Sequence, residues 1–70
     1  MSLTTYRIAP RGTGTWTLAC ERQSGRAELV QEFPSKEAAI AWGMAHVERQ
    51  APCRLEVIRS DGAIAFRRVF

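Results

Sequence analysis

Seventy residues at 7.9 kDa make one small domain at most, leaving no room for a cofactor domain beside a substrate domain. Hydrophobic residues at 46% and charged ones at 24% are proportions of a folded soluble domain rather than a disordered chain. Ten bases against seven acids give a net charge of +3, and nine of the ten bases are arginine, which raises nucleic acid as a partner to be weighed.

No apolar run approaches the roughly 18 residues that span a bilayer. The opening Met1-Ser2-Leu3-Thr4-Thr5 has neither a basic stretch nor an apolar one, so it reads as a flexible N-terminus without a secretory signal, and the expected compartment is the cytoplasm. In that compartment Cys20 and Cys53, which form no close pair, are expected as small buried apolar residues rather than a disulfide.

From Tyr6 the chain alternates apolar and polar residues to Ala9, and Pro10-Arg11-Gly12-Thr13-Gly14 then breaks the pattern as a turn. Thr15 to Arg22 alternates again, with Trp16, Leu18 and Cys20 on one side. Gln23-Ser24-Gly25 reverses the chain, and Ala27 to Phe33 reads as a third strand of an antiparallel meander. Ser35 before Lys36-Glu37-Ala38 is a helix start: its hydroxyl can accept from a free first-turn amide, and Glu37 suits the positive end of the dipole. The alanine-rich helix runs from Lys36 to about Gln50, where Ala51-Pro52 stops it.

Arg54 to Arg59 and Ile64 to Phe70 flank Ser60-Asp61-Gly62-Ala63, and Asp-Gly between alternating strands predicts a two-residue type I′ hairpin. Counting outward from it sets Val57 opposite Phe66 and Glu56 opposite Arg67. The predicted fold is α+β: an antiparallel sheet of about five strands in the order β-β-β-α-β-β, with one helix packed on one face and residues 6–70 forming a single domain.

Tyr6-x-Ile8, the Trp16-x-Leu18 strand, Ser35-x-Glu37-Ala38-Ala39-Ile40 at the helix start, and Asp61-Gly62 before a strand ending in an aromatic recur in that order. In this ordered set, covering about Tyr6 to Phe70, the chain resembles the small bacterial domains grouped as domain-of-unknown-function family 2188. The resemblance implies a fold pattern and no activity, and it carries over no functional residues. Trp42 departs from it, standing in mid-helix where a small or polar residue is expected.

Alternation places Tyr6, Ile8, Trp16, Leu18, Phe33, Leu55, Val57, Ile64 and Phe66 on the side that the helix covers. Thr5, Arg7, Thr15, Thr17, Glu21, Arg54, Glu56 and Arg67 fall on an open, solvated side. On the helix, Ala39, Ile40, Gly43, Met44 and Val47 make the inward stripe, with Gly43 permitting close approach. Trp42 then points away from that stripe, among Ala38, Ala41 and Ala45. It either folds sideways over the sheet edge or the Ala51-Pro52 loop, or anchors an interface with a partner or a second copy.

Catalytic and metal chemistry find little footing. His46 is the one histidine and sits near the helix C-terminus, and Cys20, Cys53 and His46 fall short of a four-ligand zinc site. Gly12-Thr13-Gly14 lacks the helix and Lys-Ser/Thr ending of a phosphate cradle. No enzyme, cofactor, metal or small-molecule substrate is expected. The function expected is a non-enzymatic module for protein contact or self-association through Ala38, Ala41, Trp42 and Ala45. The alternative is a nucleic-acid-binding module using Arg7, Arg11, Arg26, Arg54 and Arg67, which would straddle phosphates from the open face and its ends.

Overall fold

The computed structural model describes residues 4–22 and 25–70. In chain order the elements are β1 (Thr4–Arg11), β2 (Thr15–Glu21), β3 (Ala27–Phe33), α1 (Lys36–Glu48), β4 (Cys53–Ile58) and β5 (Ile64–Val69). This is the expected α+β order, with α1 packed on one face of a five-stranded sheet. β1 starts at Thr4, so Thr4 and Thr5 belong to the strand rather than to a flexible tail, and Met1-Ser2-Leu3 lie outside the described residues. Gln23 and Ser24 of the expected reversal also lie outside them. β1 also continues through Pro10 to Arg11. Its pairing with β4 ends at Ile8, so the amide that Pro10 lacks is not needed by that ladder.

The sheet is mixed rather than antiparallel throughout. Its order is β3-β2-β1-β4-β5, and β1 pairs parallel with β4, setting Tyr6 beside Leu55 and Ile8 beside Val57. Two hairpin reversals leave β3 running in the direction of β1. The helix then carries the chain back across β2 and β1, so β4 must enter in that same direction. Alternation records which side a residue faces but not which way its strand runs.

Ser35 caps α1 as expected, its Oγ accepting from the Ala38 amide at 3.1 Å, and the helix ends at Glu48 with Arg49 as its C-cap. Beyond it the Ala51-Pro52 peptide is cis. The inward stripe is the expected one: Ala39, Gly43 and Val47 are buried, with Ile40 and Met44 partly so. They close over Ile8, Leu18, Leu55 and Val57, all fully buried. A Cβ on Gly43 would stand 3.0 Å from Ile8 Cδ1, so the missing side chain sets how closely helix and sheet approach.

The β4–β5 hairpin keeps its expected register by another route. Gly62 N–H donates to the Arg59 carbonyl at 2.9 Å and Gly62 has φ 87°, while among the described residues no non-glycine has positive φ. A type I′ turn needs positive φ at Asp61 as well, so this is a three-residue loop with glycine in the left-handed position. Ile58 then pairs with Ile64, while Val57 pairs with Phe66 and Glu56 with Arg67. Ala65 is the extra residue, and its bulge restores the count that the longer loop had shifted.

That bulge breaks the simple alternation of β5. Ile64 is 46% and Phe66 39% exposed, so neither belongs to the core assigned to them above. Five strands about 4.8 Å apart span about 19 Å, whereas one helix is about 10 Å across. Among the described residues the α1 backbone lies close to β1 to β4 and not to β5.

Candidate functional site

The open face carries a charge ladder rather than a basic stripe. Because β4 lies between β1 and β5, Arg7 and Arg67 stand on either side of Glu56. Arg7 donates to Glu56 Oε1 from Nε at 3.2 Å and Nη2 at 3.0 Å, and Arg67 Nε donates to Oε2 at 2.8 Å. Arg7 Nη1 also reaches Glu21 Oε2 at 2.9 Å, so the row reads Arg67, Glu56, Arg7, Glu21 and is neutral in sum. The arginines cover Glu56 to 4% exposure. Burial alone would raise its carboxyl, but the hydrogen bonds and charges of Arg7 and Arg67 outweigh that and hold it below the ordinary range. The Glu56–Arg67 half was legible in the hairpin. The Arg7 half depends on the parallel β1–β4 neighbourhood, which no local pattern reveals.

The five candidate arginines are therefore not gathered into one phosphate-binding row. Arg7 and Arg67 are engaged with Glu56. Arg11 lies at the end of β1 with Glu32 at 3.5 Å, and Arg26 is exposed just before β3. Arg54 shares the open face beside Thr5 and Val69, partly buried, with its Nε unbonded.

On the helix side the four candidate interface residues also separate. Ala38 packs against the core, whereas Ala41 and Ala45 are exposed. Trp42 is 37% exposed and lies sideways: its ring stacks on His46 at 4.8 Å and 13°, and against Phe33 at 5.6 Å and 50°. His46 in turn meets Tyr6 edge-on at 5.7 Å. The i,i+4 spacing of Trp42 and His46 is the sequence signal for this contact. Far from being a free imidazole, His46 is a link in an aromatic chain from Phe33 to Tyr6.

Both cysteines are free and buried, and Cys53 Sγ donates to the Val47 carbonyl at 3.1 Å. Burial first, and then the neighbouring Cys20, pushes the Cys53 thiol up, which makes it a poor nucleophile. Among the described residues no three His, Cys, Asp or Glu side chains gather as a metal site, and no helix is long and apolar enough to cross a membrane.

The strand β5 is the expected one, but its exposed edge is the feature that sequence reasoning missed. It is an edge strand that exposes Phe66 on the helix side and Ile64 and Val69 on the open face, the last at 60%. Phe70 N–H donates to Cys53 O at 2.9 Å and Cys53 N–H donates to Phe70 O at 3.3 Å, so Phe70 turns both backbone groups inward. By antiparallel alternation Val69 and Arg67 turn theirs outward, away from the sheet. β5 thus presents apolar side chains and unpaired amides together, the combination that pairs with another strand.

Compared with known protein families, curated proteins and solved structures, the chain has no match.

Proposed function

We propose that this domain is a non-enzymatic self-association module whose contact surface is the β5 edge rather than the helix face around Trp42. The observation that carries the reading is the β5 edge: outward amides at Arg67 and Val69 lie beside exposed Phe66 on the helix side and exposed Ile64 and Val69 on the open face. Trp42 supports a lesser role, since its ring already has Phe33 and His46 as partners.

Nucleic-acid binding gains less support. Two of its five arginines are engaged with one carboxylate, and that face carries Ala9, Ala19 and Thr17 beside them rather than aromatics for stacking bases. The absence of enzymatic activity, the cytoplasmic setting and the kinship with domain-of-unknown-function family 2188 belong to the same proposal. They rest on the composition and on the ordered motifs from Tyr6-x-Ile8 to Asp61-Gly62.

Light scattering across a concentration series tests the reading. The wild-type mass should rise with concentration. Val69→Pro should abolish that rise, because proline removes an amide that points away from the domain's own sheet. A wild-type chain that stays monomeric, or a Val69→Pro chain that associates equally well, would refute it.

A further inference from the structure

We infer that the copies join head to tail, the β5 edge of one pairing antiparallel with the β3 edge of the next. This rests on the proposed self-association through β5 and adds which strand receives it.

Direction and charge both select β3. β3 runs with β1, and β5 runs against β4 and hence against β1, so a translated copy presents β3 antiparallel to β5 with the helices on the same side. Two β5 edges facing each other would crowd Arg67 and Arg68 of both chains into one short stretch. Two β3 edges would do the same with Glu28 and Glu32. Only the unlike pair sets the acidic edge against the basic one.

Backbone polarity and side-chain facing then select one register. Arg22 N–H donates to the Arg26 carbonyl at 3.1 Å, which turns Arg26 inward and leaves Ala27 and Leu29 with outward amides. On β5 the outward residues are Arg67 and Val69. Pairing Ala27 with Val69 and Leu29 with Arg67 joins outward groups to outward groups, all four on the open face. It sets Glu28 opposite Arg68, and both of these lie on the helix side, since Glu28 pairs within its own sheet with Cys20 and Arg68 with Leu55.

Present partners do not tie those two charges down. Glu28 meets Arg22 at 3.4 Å with both side chains more than 60% exposed, and Arg68 lies 5.0 Å over the Phe70 ring. The bulges at Val30 and Ala65 bound the pairing to a short stretch, so the contact is weak and concentration-dependent. Because the two edges differ, the contact repeats without closing into a dimer.

The test uses variants blocked at one edge each. Val69→Pro blocks β5 and Leu29→Pro blocks β3, each at an amide facing away from its own sheet. Alone each should stay monomeric by light scattering at low salt, and mixed in equal amounts they should reach twice the monomer mass and stop there. Wild type should continue past two chains. If Leu29→Pro associates as wild type does, or the mixture stays monomeric, the head-to-tail mode is wrong, even where Val69→Pro still shows that β5 is the contact. A wild-type chain that stays monomeric overturns both the mode and the reading beneath it. A charge exchange gives a second arm if a proline variant fails to fold: Glu28→Arg and Arg68→Glu should each weaken association at least several-fold, and together restore it. Equal association in all three would contradict the pairing.

Discussion

Glu56 takes Arg7 on one carboxylate oxygen and Arg67 on the other, at 3.0 Å and 2.8 Å. The carboxylate ties together three neighbouring strands, β1, β4 and β5, two of them paired parallel and two antiparallel. This ladder takes up arginines that composition alone would assign to nucleic acid. It also fixes the inner side of β5 while leaving the outer side unpaired.

Acid should weaken the fold through Glu56. Its carboxyl titrates below the ordinary 4.5 when folded, so the ionised form favours folding. That contribution is complete above about pH 4.5 and is lost as the pH falls through the lowered value. Urea unfolding at pH 7 and at pH 3 should show the loss. Glu56→Gln should cost about 1–3 kcal/mol at pH 7 and flatten this part of the pH dependence, because the amide cannot serve both guanidiniums as a charge.

Close approach at Gly43 should be sensitive to size. Gly43→Val adds atoms where a Cβ already stands 3.0 Å from Ile8 Cδ1, and it should destabilise the domain by about 1–3 kcal/mol. Ile8→Val in that background removes the opposing methyl and should return part of the loss. A double-mutant cycle by chemical denaturation reads the coupling, and additive losses would place the strain elsewhere.

Much of this fold was legible in the chain. Ser35, the alanine-rich stretch after it and Pro52 define the helix, and its inward stripe at Ala39, Gly43 and Val47 follows from 3.6-residue periodicity. The Val57–Phe66 and Glu56–Arg67 pairs were legible too, though a longer loop and a bulge at Ala65 produce them together. The parallel β1–β4 pairing was not, because it depends on where the crossover lands rather than on any local pattern. The exposure of Phe66 depends on the width of a single helix against five strands, and that of Ile64 on the bulge, which sets it beside Ile58 on the open face. The proposed β5 surface therefore lies outside Ala38, Ala41, Trp42 and Ala45, the residues that helical periodicity points to.

Trp42 should behave as a stabilising side chain. Trp42→Ala removes the stacking on His46 and the packing against Phe33, costing about 1–2 kcal/mol in urea unfolding. Its self-association, once corrected for folded fraction, should match wild type. A Trp42→Glu chain that remains fully stable yet no longer associates would return the interface to the helix.

The thiols should be silent until the protein opens. Cys20 and Cys53 are buried, and burial holds the Cys53 thiol protonated above its ordinary pKa. A thiol-reactive dye at pH 8 should label Cys53 at the rate of opening and both cysteines at once in denaturant. Fast labelling of Cys53 in the native state would contradict its burial under the Val47 carbonyl.

Light scattering of wild type beside Val69→Pro, with circular dichroism to confirm that both are folded, asks whether the outer edge of β5 is a working surface. Mass rising with concentration for wild type and staying at one chain for Val69→Pro is the predicted result. Two folded chains that remain monomeric alike, or that associate alike, would contradict it.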